Sequence, residues 1–168
     1  GKTRVITHKI AKLVASLDYR PEEILGVTFT NRAAREMRER IESLTGIPSR
    51  SFRISTFHAL GLSILRETLG MLGLSGEWQV MDDNDQKRLV DAICRLRNLE
   101  KTADEKDDFR RRMGMAKMGL LYPQSRTVLE EEQGWSSADV DLFAAYQQQL
   151  QDARLWDYED LISLPVLL

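Results

Sequence analysis

Two places where a short apolar run leads directly into a helix restrict the fold most. Residues 24–29 (ILGVTF) and residues 52–56 (FRIST) have the length and composition of buried strands in a parallel sheet. Thr30 or Asn31 can cap the helix after the first run, and Gly46 and Pro48 end it. One face of this helix carries Ala33, Ala34, Met37, Ile41 and Leu44. The alternation of strands and helices predicts an α/β fold.

Two more helices flank these strands. Residues 2–17 are predicted to form an amphipathic helix, and another is predicted from residue 57 through Leu69. The apolar face of the first helix is expected to contain Val5, Ile6, Ile10, Leu13 and Val14. Strands that alternate with helices pair in parallel, and such sheets bind ligands at the carboxyl ends of their strands. The residues that follow the two strands are therefore the first candidates for function.

The chain changes character near residue 82. From residue 83 to about 156 only helical periods are found, which predicts an all-helical insertion. The acidic run at residues 82–85 fits a helix N-cap and first turn, and residues 130–132 fit a solvated helix end. Neither run has calcium-loop spacing. The predicted domains are residues 1–82, the helical insertion at residues 83–156, and a return segment at residues 157–168.

Composition argues against a disulfide-bonded protein and a membrane-spanning protein, but it leaves nucleic-acid binding open. The net charge is −2 with 30% charged residues, so the total charge neither indicates nor excludes a nucleic-acid partner. The one cysteine, Cys94, cannot form an internal disulfide, which fits a reducing cytoplasm. No apolar stretch approaches the about 18 residues of a membrane span. We expect a cytoplasmic protein without a membrane partner, and the start at Gly1 and the apolar end at residues 164–168 suggest a piece of a longer one.

The first three residues, Gly1-Lys2-Thr3, open a helix. A glycine, a lysine and a hydroxyl residue at a helix N-terminus can supply backbone N–H groups, a positive charge for phosphates and a hydroxyl for magnesium. The tripeptide alone is a weak signal, because the upstream glycines that would make it specific are absent. An ordinary helix start is the competing interpretation.

The two strand ends repeat one pattern of hydroxyl groups beside an aromatic ring. At the end of the first strand stand Thr28, Phe29, Thr30 and Asn31. At the end of the second stand residues 55–58 (STFH). A lone phenylalanine most often belongs to the core. Beside hydroxyl and amide groups at a helix N-terminus, it could instead stack on a base while its neighbours contact phosphate. For most arginines after the first strand, from Arg32 to Arg53, a solvated surface is favoured, with ion pairs such as Arg38 with Glu42.

These segments, in this order and spacing, resemble the UvrD/Rep/PcrA family of superfamily 1 helicases. GKTRVITHKIA is similar to the end of the family's Walker A motif, ILGVTFTNRAAREMRERI to motif Ia, and ISTFHALGLSILR to motif Ib. VMDDNDQKRLV resembles the entry into the helical subdomain inserted in the first RecA-like domain, and DYEDLI resembles the return from it. The resemblance covers the whole chain and implies a partial RecA-like P-loop NTPase domain with an all-helical insertion.

The resemblance also implies an activity and its residues. The family consists of ATP-driven translocases that move 3′ to 5′ along single-stranded DNA and unwind duplexes at junctions. Gly1, Lys2, Thr3 and Arg4 would bind ATP, with Thr3 also holding Mg²⁺. Single-stranded DNA would contact Thr28, Phe29, Thr30, Asn31, Thr56, Phe57 and His58. The expected partners are single-stranded and junction DNA and the remaining helicase domains, and the parent could serve repair, recombination or plasmid replication.

Several family motifs have no match here: the adenine-reading aromatic-and-glutamine segment, the front of the phosphate loop, the DExx box and the arginine fingers. The chain alone is therefore expected to be inactive. Two other functions remain open at this point. A P-loop kinase or transferase could share the GKT helix, although it would not explain the aromatic strand ends. A helical module at residues 83–156 could instead bind duplex DNA or a protein.

Overall fold

The computed structural model describes residues 2–72 and 76–168, with Lys2 described by its backbone alone. It contains seven α-helices and four short strands within these residues. The helices are α1 (Lys2–Ala15), α2 (Asn31–Thr45), α3 (Phe57–Met71), α4 (Asp83–Leu96), α5 (Ala103–Met118), α6 (Ser137–Ala153) and α7 (Asp160–Leu167). The strands are β1 (Leu25–Thr28), β2 (Arg53–Thr56), β3 (Gln79–Val80) and β4 (Leu155–Trp156).

The chain divides into two compact units, unit 1 (Gly1–Leu60) and unit 2 (Gly61–Leu168). Among the described residues, no helix has the length and apolar character needed to cross a membrane. The short parallel strands among helices confirm the predicted α/β class with an additional helical part.

Unit 1 is built around the parallel pair of β1 and β2. Their register runs from Leu25 opposite Arg53 to Thr28 opposite Thr56. The buried core of the unit joins α1, α2 and the sheet, and it consists of Ile10, Val14, Ile24, Met37, Ile41, Phe52 and Ile54. The predicted ends of α2 are confirmed, because Thr30 caps its start and Gly46 ends it in the left-handed conformation (φ 69°).

The predicted apolar face of α1 is wrong at its first turn. Ile10 and Val14 are buried, but Val5 is 70% exposed and Ile6 is 47% exposed. Val5 lies about 140° around the helix from Ile10, on a different side from the stripe that faces the core of unit 1. Thr7, on the buried stripe, is fully buried, and its hydroxyl donates to the carbonyl of Arg4 at 3.0 Å.

Unit 2 has a helical core formed by α4, α5 and α6. Fully buried side chains include Met113, Leu129, Val140, Phe143 and Tyr146. The predicted N-cap of α4 is confirmed, because the Asp82 carboxylate accepts from the backbone N–H of Asp85 at 2.8 Å. The segment at residues 128–132 forms a π-helical turn with Glu131 and Glu132 exposed.

The prediction of helices alone from residue 83 to 156 is wrong at its end. Leu155 and Trp156 form β4, which pairs in parallel with β3. Arg154 ends α6 in the left-handed conformation (φ 54°), a position that the sequence did not mark with glycine. Two-residue strands are too short to produce a period, so their pairing was not visible in the sequence.

Helices α3 and α7 approach closely within unit 2. A Cβ atom on Gly61 would lie 1.7 Å from the carbonyl oxygen of Leu161 and 2.8 Å from its carbon. These are backbone atoms, so a side chain at Gly61 would force the two helices apart. Near the end of α3, a Cβ on Gly70 would meet nothing within 4 Å.

We expect Gly61→Ala to lower the free energy of unfolding of unit 2 by about 1–3 kcal/mol, the usual cost of overpacking. Gly70→Ala is the matched control and should raise it by up to about 1 kcal/mol, because alanine favours a helix. All three tryptophans lie in unit 2, so urea unfolding followed by tryptophan fluorescence reports on this unit. Equal midpoints for the two variants would contradict the close approach.

Candidate functional site

The carboxyl ends of β1 and β2 lie side by side in unit 1. Because Thr28 is in register with Thr56, the next residues, Phe29 and Phe57, leave the sheet at the same edge. The ring centroids of these two phenylalanines are 5.3 Å apart and their planes are tilted by 48°. Phe29 is 87% exposed and Phe57 is 41% exposed. The structure thus brings together the two aromatic residues that the sequence singled out.

The threonines of the predicted site hold the chain where it leaves the sheet. Thr28 and Thr56 are buried. The Thr28 hydroxyl donates to the carbonyl of Thr30 at 3.0 Å, and the Thr56 hydroxyl accepts from the N–H of Ala59 at 3.2 Å. The exposed Thr30 caps α2 by accepting from the N–H of Ala33 at 3.1 Å. These hydroxyls fix the two strand-to-helix turns that carry the phenylalanine rings.

Two further polar residues of the predicted site stand in the first turns of helices. Asn31 is the exposed first residue of α2, and His58 is the half-buried second residue of α3. Partial burial lowers the pKa of His58 below its ordinary value of 6.5, because burial penalises the charged imidazolium. This lowering of the pKa favours the neutral imidazole of His58 near pH 7.

The predicted nucleotide site is described only in part. Gly1 and the side chain of Lys2 lie outside the described residues. Thr3 and Arg4 are exposed in the first turn of α1. They line an open groove of about 780 Å³ with His8 of α1 and residues of α2, namely Glu36, Glu39, Arg40, Ser43 and Leu44.

The described residues supply few candidate ligands for magnesium. They contain no group of three or more His, Cys, Asp or Glu side chains that could hold a metal ion. Magnesium at a nucleotide site takes few protein ligands, among them a P-loop Ser or Thr hydroxyl, and completes its shell with water and nucleotide phosphates. The exposed Thr3 hydroxyl fits the part of such a single protein ligand.

Arg38 is a functional candidate that the sequence interpretation placed wrongly. The expected ion pair with Glu42 is not formed. Hydrogen bonds from the Ser49 side chain and from the Ser49 N–H, the latter at 3.1 Å, lower the pKa of the Glu42 carboxyl. The Arg38 guanidinium donates to the backbone carbonyl of Ile54 in β2 at 2.8 Å. Helical spacing could have indicated this, because Arg38 lies four residues after the buried Ala34 and three before the buried Ile41.

The three consecutive arginines of α5 in unit 2 are already paired. Arg110 bonds to Asp107 at 2.8 Å, and Arg111 forms a short ion pair with Asp108. Arg112 lies 3.4 Å from Asp139, and its guanidinium carbon lies 4.7 Å from the centre of the Trp135 ring. Carboxylates and a ring thus satisfy a run that could otherwise have suggested phosphate binding.

Comparison with known proteins identifies relatives over the whole chain. A family model described as the UvrD/REP helicase N-terminal domain matches residues 1–168. The ATP-dependent DNA helicase PcrA of Bacillus subtilis (strain 168) is 36% identical over 169 residues, which cover 100% of this chain and 23% of that protein. The PcrA of Leuconostoc citreum is 35% identical, covering 99% and 22%, and that of Staphylococcus aureus (strain Mu50 / ATCC 700699) is 33% identical, covering 99% and 23%. The chain spans about 23% of the length of the first of these relatives.

Proposed function

The chain belongs to the UvrD/REP helicase N-terminal domain family, and on that premise we propose that it is part of the first motor domain of an ATP-dependent DNA helicase. The motor would translocate 3′ to 5′ on single-stranded DNA and unwind duplex at a junction. Residues 1–82 would contribute the RecA-like part, residues 83–156 the inserted subdomain and residues 157–168 the return. The relatives named above are ATP-dependent DNA helicases, which supports this proposal.

The Phe29–Phe57 pair is the observation that carries the proposal. The two rings are 5.3 Å apart, whereas a base between two rings needs two contacts of about 3.5 Å each, or about 7 Å in all. In this arrangement a base stacks on the outer face of Phe29, which is solvent-exposed, and Phe57 supports the ring from behind. An aromatic platform of this kind accepts any base, which suits a protein that moves along DNA regardless of sequence.

Polar residues around the platform would hold the DNA backbone. Thr30 and Asn31 stand exposed at the start of α2 beside Phe29, and His58 stands beside Phe57. Hydroxyl, amide and neutral imidazole groups can each donate a hydrogen bond to a phosphate oxygen. The buried Thr28 and Thr56 would act through the turns that they fix.

The nucleotide half of the motor would use the start of α1. Lys2 would neutralise the β- and γ-phosphates of ATP, Gly1 would contribute its backbone N–H, and Arg4 would lie near the nucleotide. Thr3 would bind Mg²⁺, which neutralises charge on the phosphates when bound.

The one Asp-Glu dipeptide, Asp104-Glu105, cannot replace the catalytic acids of the family, because the Glu105 side chain accepts from the N–H of Thr102 in a capping box. The 168 residues alone would therefore not hydrolyse ATP, and the remaining domains of a cytoplasmic parent would complete the site.

We expect Phe29→Ala in the full-length protein to weaken binding of a single-stranded oligonucleotide by about 1–3 kcal/mol, the usual contribution of one stacked base. The matched control is Tyr19→Ala, which removes another exposed ring from unit 1, outside the platform. Fluorescence anisotropy with oligothymidylate at fixed salt measures both affinities. The salt must be fixed because phosphate contacts make such binding strongly salt-dependent.

The same titration separates the competing functions. An unchanged affinity for Phe29→Ala would remove the platform and return Phe29 to an ordinary surface role. A nucleotide kinase or transferase would bind ATP but no single strand. A helical interaction module would bind its partner through residues 83–156 alone. The three consecutive arginines of α5 are already paired, which disfavours duplex DNA as a partner that binds there.

A further inference from the structure

The bond between Arg38 and Ile54 joins a helix to a strand across 16 residues of sequence. Arg38 is half-buried on the side of α2 that packs on β2, next to the buried Met37. Its Nη1 atom donates to the carbonyl oxygen of Ile54 at 2.8 Å. An arginine that served only for solubility would keep its guanidinium in water.

The carbonyl that Arg38 binds lies on the outer side of β2. The N–H of Arg53 donates to the carbonyl of Ile24 at 3.3 Å, so the backbone groups of Arg53 face β1. Backbone groups of successive strand residues point alternately to the two sides, and the carbonyl of Ile54 therefore faces away from β1. Within the described residues, Arg38 satisfies an acceptor that the β1–β2 pairing does not.

The bond acts close to the aromatic pair. Ile54 precedes Thr56 by two residues and Phe57 by three, on a strand of four residues. Packing behind the strand is tight, because a Cβ on Gly26 would lie 3.3 Å from both Cγ1 of Ile54 and Sδ of Met37. Arg38 thus anchors the strand from its outer side while β1 and the core hold its other sides. A shift of β2 would move Phe57 relative to Phe29.

We propose that Arg38 is a positioning residue for single-strand binding: it holds the end of β2 so that Phe57 supports Phe29, and it does not itself contact DNA. This inference rests on the proposed function of the Phe29–Phe57 platform. Arg38 differs in this from an arginine that binds phosphate directly, because its Nη1 atom donates to a backbone carbonyl.

The test measures oligothymidylate affinity of the full-length protein as a function of salt for Arg38→Gln. We expect affinity to fall about 5- to 20-fold, part of the loss that a missing stacked base produces. The slope of log affinity against log salt should stay unchanged, since each lost phosphate contact on a single strand would reduce it by about 0.7. The control, Arg35→Gln, changes an exposed arginine on the same helix and should leave the affinity within about 2-fold of wild type.

A double-variant cycle shows whether Arg38 acts through Phe57. In a Phe57→Ala background, Arg38→Gln should cause less than about 2-fold further loss, because the ring that it positions is gone. A purely structural role for Arg38 would lower affinity equally in both backgrounds and would overturn the inference. A salt slope reduced by about 0.7 would also overturn it, since Arg38 would then be a phosphate contact.

Two outcomes distinguish this inference from the proposed function. If Phe29→Ala and Phe57→Ala weaken binding but Arg38→Gln does not, the positioning role fails and the platform stands. If neither phenylalanine variant weakens binding, the platform itself fails. Should Arg38→Gln not fold, Arg38→Met decides: it keeps the aliphatic stem and removes the donor. Weaker binding that depends on Phe57 then supports the inference, and wild-type binding rejects it.

Discussion

Lys2→Ala in the full-length protein is expected to reduce DNA-stimulated ATP hydrolysis by about 10²–10³-fold, the usual effect of removing one preorganised group that stabilises charge in a transition state. Phosphoryl transfer depends on positioning and on neutralising the phosphate oxygens, and Lys2 is the residue proposed to supply that charge. The control is Lys9→Ala, which removes an exposed lysine from the same helix. Steady-state phosphate release with saturating single-stranded DNA measures both rates.

Single-strand affinity without nucleotide should be the same in Lys2→Ala and wild type, because the aromatic platform belongs to the strand ends. A variant that lost both activities would have lost its fold and would say nothing about the phosphate loop. A folded Lys2→Ala protein that hydrolyses ATP at the normal rate would contradict the assignment of Gly1, Lys2 and Thr3 to the nucleotide.

The strand ends illustrate what local sequence can predict. The start of α2 at Thr30 and its end at Gly46 follow from side-chain capping and from the left-handed conformation that glycine adopts easily. Parallel pairing of β1 and β2 follows from the helix between them. Those two expectations together place Phe29 and Phe57 at one edge, and the structure has them in contact.

Contacts between distant residues were less accessible from the sequence. The Arg38–Ile54 bond joins a side chain to a backbone carbonyl, and a carbonyl has the same chemistry at every position. The exposure of Val5 depends on which stripe of α1 faces the core of unit 1. The β3–β4 pair depends on a contact between residues 79–80 and 155–156 that no local period announces.

A buried cluster of charged side chains in unit 2 also joins residues that are distant in the sequence. The ammonium group of Lys117 in α5 is fully buried and lies 2.5 Å from Asp157 and 2.9 Å from Asp160. The Tyr146 hydroxyl donates to Asp157 at 2.9 Å, and that of Tyr122 donates to Asp160 at 3.1 Å. Asp157 and Asp160 also accept from each other's backbone N–H groups. Sequence analysis missed Lys117, because a lysine in a charged helix resembles a surface residue.

Burial raises the pKa of Asp160 from 3.8 to about 6, with the charge of Asp157 adding to the rise and the Lys117 ammonium opposing it. Between these two values the folded chain binds more protons at Asp160 than the unfolded chain does. The contribution of this carboxyl to stability is therefore present below about pH 4 and is lost as the pH rises through about 6. Lys117 limits the loss, because its charge favours the ionised carboxylate.

Lys117→Met should therefore lower the free energy of unfolding of unit 2 by about 3–5 kcal/mol at pH 7.5, since it leaves two buried carboxylates without their cation. The loss should be smaller at pH 5, where Asp160 can take up a proton. Lys106→Met is the matched control on α5: Lys106 pairs with Asp91 at 3.0 Å near the surface and should contribute at most about 1 kcal/mol. Urea unfolding followed by tryptophan fluorescence at both pH values measures these differences. A loss of stability for Lys117→Met that is equal at pH 5 and pH 7.5 would mean that Asp160 does not titrate in this range. The buried charge of Asp160 would then not be the cause of the loss.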